Sequence, residues 1–205
     1  MDTFDATASG LLFGLSLIVA IGPQNAYVLR QGLRGEQVAL VVGVCSASDL
    51  ALIAGGVGGA GAAFDGRHWL LTAFAIVGTA FLLGYGATAA RRVVRAPSTA
   101  AAAPRSATAW RTALLACLAF TWLNPGVYID TVFLVAPVSR THAPEQWWFA
   151  GGAMLASVAW FAALGYGARS FSTTLARPGA WRVVDACIAV IMLVTAVRIA
   201  TTQIS

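Results

Sequence analysis

Six stretches of this chain are long and apolar enough to cross a bilayer: about 6–30, 37–60, 69–91, 111–137, 147–170 and 181–203. A membrane helix needs about 20 consecutive, mostly apolar residues. In hydrocarbon every backbone N–H and C=O must find a partner within the protein, so spans of this length are helical. The runs predict an all-α integral membrane protein of six transmembrane helices joined by short polar links. Composition agrees, since only 10% of the 205 residues are charged, against about 25% in soluble domains. The net charge of +5 does not point to nucleic acid, because all thirteen basic residues are arginine and cluster between the runs.

Those arginines orient the chain. The links after runs one, three and five hold Arg30, Arg34, Arg91, Arg92, Arg95, Arg105, Arg111, Arg169, Arg177 and Arg182. The opposite side holds Arg67, Arg140 and Arg198, the last snorkelling from the end of run six. Ten against three puts the first side in the cytoplasm and both termini outside. Asp2 and Asp5 precede run one with no basic segment or cleavage site, so that run is expected to be retained. Cys45, Cys117 and Cys187 lie within apolar runs, show no metal spacing, and are read as small packing residues.

Run one is interrupted by "GPQN" (22–25) and run four by "LNPG" (123–126). Proline removes a backbone donor and clashes with the carbonyl four residues back, here Val19 and Thr121. In lipid such a break needs protein or a wet cavity around it. Folding the sequence in half aligns Pro23 with Pro125, "ASDLALIAGG" with "ASVAWFAALG", and Arg91 with Arg198. With three spans per half, the halves run in opposite directions. The expectation is one transporter domain over 1–205: repeat one about 1–91, a cytoplasmic loop about 92–110, and repeat two about 111–205. Helices 1 and 4 are broken at proline, with the substrate site where the breaks meet.

Ionisable groups at membrane depth sharpen this. Asp49 lies mid-run in run two, and Asp130 within two turns of Pro125. A carboxylate at the bilayer centre costs about 2.5–3.5 kcal/mol on insertion scales, so each should face a cavity or a partner. A structural, hydrogen-bonded acid between helices is the alternative for both. Asp185, near Trp181 and Arg182, is read as reaching interfacial water, and His68 and His142 as solvated loop residues. "GGVGGAGAA" (55–63) sets Gly55 and Gly59 four apart, a spacing for close helix packing within the chain or in a homodimer. No His/Glu metal pair or Ser–His arrangement occurs at depth, so neither an enzyme, a metal nor a cofactor is expected.

The stretches "GPQNAYVLRQG" (22–32), "CSASDLALIAGG" (45–56), "TWLNPGVYIDT" (121–131) and "SVAWFAALGYGA" (157–168) are ones by which the chain resembles the LysE-type amino-acid exporter family, in particular its lysine/arginine branch. The resemblance covers nearly the whole chain. It implies a bacterial inner-membrane exporter of basic L-amino acids driven by the proton motive force. It carries over, by position, Gly22, Pro23, Gln24, Asn25, Asp49, Asn124, Pro125, Tyr128 and Asp130 as the substrate path. The chain departs from the pattern at Gly126, where members have His or Asn, and at Asp185, where members have Asn. A cationic substrate suits the residues. Asp49 or Asp130 would meet its side chain, and N–H groups after Pro23 its carboxylate. A proton competing for the same carboxylate would couple the exchange. The alternatives are an exporter of neutral amino acids or another small solute, and a structural or assembly membrane protein.

Overall fold

The computed structural model describes residues 2–20, 22–59, 68–94, 108–171 and 178–201. Asp65, Arg67, Arg95, Arg105, Arg177 and most of the 92–110 link lie outside these residues. Among the described residues all regular structure is helical. Helix α1 (Thr3–Ile18) starts where the Asp2 carboxylate accepts from the Asp5 N–H at 2.8 Å. Helix α2 (Pro23–Arg34) starts on Pro23, whose missing N–H costs nothing at a first turn. It stops at Gly35, in the left-handed region at φ 66°. Helices α3 (Val38–Val57) and α4 (His68–Val94) follow. Run four divides into α5 (Trp110–Trp122), a single turn α6 (Pro125–Tyr128), a π-helical stretch Ile129–Val135, and α7 (Ala136–Arg140). Helices α8 (Gln146–Ser170) and α9 (Pro178–Ile199) complete the order.

Three helices are long and apolar enough to span a membrane alone: α3, α8, and α4 over Thr72–Val94. The pairs α1–α2, bent by 83°, and α5 with the Pro125–Arg140 segment, bent by 57°, are each a broken span or a re-entrant loop, giving up to five spans if each pair is one. Helix α9 is outside that number and carries Arg182, Asp185 and Arg198 in its 22 residues. It nevertheless exposes Val183, Val190, Val194 and Val197, as a lipid-facing helix does.

Helix α1 lies along α8, α5 along α3, and α4 along α9, while α3 and α8 pack on each other. The α1–α8 approach depends on small residues. A Cβ on Gly10 would run into the Phe149 carbonyl, and one on Gly152 into the Thr7 carbonyl, with Gly14 set against Ala153 and Ala156. These are backbone atoms, so neither side can yield cheaply. Gly152→Val is expected to part the two helices and to cost about 1–3 kcal/mol, the range for overpacking. A fall in thermal unfolding temperature and in membrane abundance would check it, and parent-like values for both would count against the contact.

The Gly55/Gly59 spacing does not make such a face. Helix α3 ends at Val57, and Gly59 sits beyond it at φ 100°. The close approach is made by Gly56, against the Thr131 carbonyl. The cysteines also divide. Cys45 and Cys117 are buried with their Sγ atoms 2.9 Å apart, whereas Cys187 is exposed. His142 is half-buried rather than solvated, its ring 4.5 Å from that of Phe149.

On the loop after α2, Glu36 accepts from the Thr108 hydroxyl at 2.6 Å, the Thr108 N–H at 3.1 Å and Arg34 at 3.0 Å. Burial alone would raise its carboxyl, but Thr108 and Arg34 together hold it below the usual carboxylate range. This clasp ties the end of α2 to the start of α5.

Candidate functional site

Both proline breaks open onto one cavity of about 460 Å³, inside the range of about 300–1,000 Å³ usual for small-molecule sites. Gly22, Pro23, Gln24, Asn25, Asp49, Asn124, Pro125 and Asp130 all line it, although they come from α2, α3, α6, the π stretch and the turns between them.

The breaks are stitched by side chains. At the first, the Asn25 amide donates to the Ile18 carbonyl at 2.7 Å and to the Ala20 carbonyl at 2.9 Å. It thus supplies the donors that the interrupted α1 lacks. The Trp160 indole N–H reaches the other side of that amide, Asn25 Oδ1, at 3.3 Å. At the second break, Asn124 Oδ1 caps α6 by accepting from the Gly126 N–H at 3.1 Å. The Thr121 carbonyl receives the Asn124 N–H at 3.4 Å, and the Trp122 carbonyl the Tyr128 hydroxyl at 2.8 Å. Tyr128 is therefore part of the stitching. It is buried, stacks on Phe74 at 5.4 Å, and is the one residue of the predicted set that does not line the cavity.

The two acids are held differently. Asp49 is 6% exposed, and its Oδ2 accepts from the Ser157 hydroxyl on α8 at 2.8 Å. Its Oδ1 has no hydrogen bond. Gln24, 8% exposed, lies beside Asp49, and its Nε2 likewise donates to nothing within hydrogen-bond geometry. The Gln24 amide and the Asp49 carboxylate thus face each other in the cavity wall. Asp130 is half-buried on the π stretch. That wide turn has two local causes. Pro137 cannot donate and crowds the Phe133 carbonyl. Thr131 Oγ1 donates to the Val127 carbonyl at 2.7 Å in competition with the backbone.

Among the wall residues outside the predicted set are Ser157 and Arg198. Ser157, which orients Asp49, was present in a motif stretch, but a lone serine in an apolar run carries little signal. Arg198, an exposed residue, lines the cavity with Thr195 and Ile199. Its signal was an ionisable residue inside run six.

A second polar cluster sits away from the cavity. Asp185 is 3% exposed, not interfacial. Its Oδ1 takes Arg30 Nη2 at 3.2 Å and Arg92 Nε at 3.1 Å. Arg30 also donates to the Tyr85 hydroxyl at 3.3 Å, and Gln31 to the Tyr27 hydroxyl at 3.0 Å. Tyr27, Tyr85, Phe81 and Phe120 pack edge to ring around these groups. Asp185 and Arg198 stand near opposite ends of α9, thirteen residues or about 20 Å apart. The cavity and the ion cluster are thus separate layers of one bundle.

Comparison with known proteins agrees in kind. The LysE type translocator family matches residues 15–203. A relative named lysine exporter LysE, from Corynebacterium diphtheriae, is 37% identical over 93% of this chain and 96% of its own length. One of the same name from Corynebacterium efficiens is 34% identical over 93% and 96%. The arginine exporter protein ArgO of Yersinia enterocolitica is 37% identical over 93% and 94%. No solved structure matches the chain.

Proposed function

The chain belongs to the LysE type translocator family, and on that premise we propose that it exports basic L-amino acids, arginine and lysine, from the bacterial cytoplasm in exchange for protons. Members of this family are transporters and not enzymes. The observation that carries the substrate class is the convergence of Asp49 and Asp130 on the cavity where the two broken helices meet. A neutral amino acid brings only its α-ammonium to the two carboxylates, whereas a basic one brings a guanidinium or side-chain ammonium as well. The names of the relatives, lysine exporter and arginine exporter, point the same way. Gly126 widens the cavity beside Asn124, where a Cβ would lie 3.2 Å from Oδ1. Efflux of radiolabelled arginine and lysine from preloaded cells tests the proposal. Export of neutral amino acids alone would overturn the substrate class, and no efflux of any amino acid would leave only a structural role.

The architecture that goes with this function is a single domain of six spans in the inner membrane, with α9 as the sixth. Its two inverted repeats span about 1–91 and 111–205, joined by the cytoplasmic loop 92–110. Its support lies in which helices touch. Exchanging the halves maps α1 on α8 onto α5 on α3, and returns α3 on α8 and α4 on α9 to themselves. The arginine split sets both termini outside. In a cysteine-free background, an impermeant thiol reagent applied to intact spheroplasts is expected to label Ser205→Cys and not Ser98→Cys. The reverse pattern would end both the orientation and the inverted repeat. With this orientation the cavity lies toward the outside and the Arg30–Asp185–Arg92 cluster toward the cytoplasm. With Gly59 outside α3, the Gly55/Gly59 spacing does not by itself argue for the homodimer; cross-linking in native membranes that traps a species of twice the chain's mass would support one.

A further inference from the structure

The cavity stops short of one side of the bundle. Neither the rings of Tyr27, Tyr85 and Phe120 nor the ions Arg30, Arg92 and Asp185 line it. Next to the cavity come the rings, with Phe120 4.9 Å from Tyr85 and 5.0 Å from Tyr27, packed in one cluster with Cys45 and Cys117. Beyond the rings come the ions. On α2 the order is Gln24, Tyr27, Arg30, and on α9 it is Thr195, Met192, Asp185. We infer that the ring layer and the ion layer together form the cytoplasmic gate of the transport path, shut in this structure, and that it opens when α4 and α9 move as a pair away from α2. The inference rests on the exporter reading and the orientation above, and adds the conformational device that they require.

The ion layer is an expensive way to hold helices together. Apolar residues of similar volume often hold them as well or better than a buried ion cluster, and an ionisable group buried within a membrane helix points to function by default. What ions add is a contact that is either made or broken. The Arg92 side chain, 32% exposed, has water to turn to once it lets go of Asp185. The contacts also run between bodies. Helices α4 and α9 pack chiefly on each other. Arg30 of α2 holds Asp185 of α9, and it donates as well to the Tyr85 hydroxyl of α4. Gln31 donates to the Tyr27 hydroxyl, so both tyrosines of the ring layer are tied to residues of the Arg30 turn. The far end of α9 carries Thr195 in the cavity wall, ten residues or about 15 Å from Asp185. A rigid pair that swings Asp185 off α2 therefore swings Thr195 toward the cavity. One side opens as the other narrows, the rocking by which many transporters alternate.

Access is tested first. In full-length protein carrying Cys187→Ala, the remaining thiols are Cys45 and Cys117, 0% and 1% exposed. An impermeant thiol reagent is applied to everted vesicles, where it meets the cytoplasmic face, and to intact spheroplasts, where it meets the outer one. Arg92→Gln removes one arm of the cluster and leaves Asp185 with Arg30. It is expected to speed labelling from the cytoplasmic face about 10-fold, the lower end of what a charge-assisted hydrogen bond is worth, and not to speed it from the outer face. Acceleration from both faces alike, which a merely loosened protein would give, overturns the inference, and so does acceleration from neither. A block is tested next, with Arg30→Cys and Asp185→Cys together in a background free of other cysteines. Replacing both partners at once avoids stranding the more buried arginine. The protein is reconstituted in arginine-loaded liposomes, and counterflow of radiolabelled arginine is followed. A short, reducible bifunctional thiol reagent that ties α2 to α9 is expected to bring counterflow to background, and reduction to restore it. Tyr27→Cys with Tyr85→Cys, at rings 6.1 Å apart on α2 and α4, reads the same block if the first pair folds poorly. Counterflow that continues while the helices are tied overturns the inference. Parent protein that carries no basic amino acid would instead sink the exporter reading, and spheroplast labelling of Ser205→Cys and Ser98→Cys reads the orientation separately.

Discussion

Asp49→Asn is expected to bring arginine efflux to background while the protein remains folded and abundant in the membrane. The substitution keeps size and shape, and the new amide oxygen can still accept from Ser157 at the distance of 2.8 Å now held by Oδ2. What disappears is the negative charge, and with it both the partner for a substrate cation and the place where a proton could bind in its stead. Burial does not oppose the change, because a neutral amide is cheaper to hold at this depth than a carboxylate. Asp130→Asn, on a half-buried residue, should do the same if the two acids act as a pair. Efflux and immunoblot abundance are read on the same cells. A well-expressed Asp49→Asn that exports arginine at the parent rate would make the acid a structural one, tied to Ser157 for packing.

The second large effect is on stability. Asp185→Ala removes the one acid facing two arginines, of which Arg30 has 8% of its side chain exposed and Arg92 32%. Removing one partner of a buried pair costs about 3–5 kcal/mol, and the partial exposure of Arg92 lowers the expected figure toward the bottom of that range. Since Arg30 Nε and Arg92 Nη2 already lack partners, the cluster has no reserve of hydrogen bonds to draw on. Membrane abundance should fall several-fold, and the unfolding temperature in detergent should drop by several degrees. Adding Arg30→Gln should recover part of the loss, because it deletes the more buried of the stranded charges. Parent-like stability of Asp185→Ala would mean that the arginines find water or lipid phosphate instead. This differs from the expectation from sequence, where Asp185 was read as reaching interfacial water.

The contrast between Asp49 and Asp185 separates what one sequence can reveal from what it cannot. Asp49 was legible because an acid in the middle of an apolar run must be explained wherever the chain goes. The breaks at Pro23 and Pro125 were legible for a similar local reason, since proline acts on its own helix. Run boundaries were also close: 37–60 became Val38–Val57, and 147–170 became Gln146–Ser170. The partners of Asp185 are on other helices, and only the packing of α2, α4 and α9 brings Arg30 and Arg92 to it. The π stretch needed Pro137 and Thr131 to be weighed together on one segment. Tyr128 belonged to a recognised motif, and the motif could not distinguish a residue that meets substrate from one that donates to Trp122 and holds the break closed. The Gly55/Gly59 spacing failed because α3 ends first.

One consequence of the cavity concerns the membrane potential. With both acids ionised and Arg198 charged, the described lining sums to −1. A basic amino acid, with two positive groups and one negative, brings +1, and so does a single proton. Either cargo brings the loaded wall to zero. Moving one elementary charge through the field takes about 2.3 kcal/mol per 100 mV, so a cation sent out alone from a negative interior would meet that full electrical load. A wall of −1 that always travels with +1 meets none of it. One-for-one exchange would then be electrically silent, drawing on the pH gradient and the amino-acid gradient and indifferent to a voltage clamped across the vesicle.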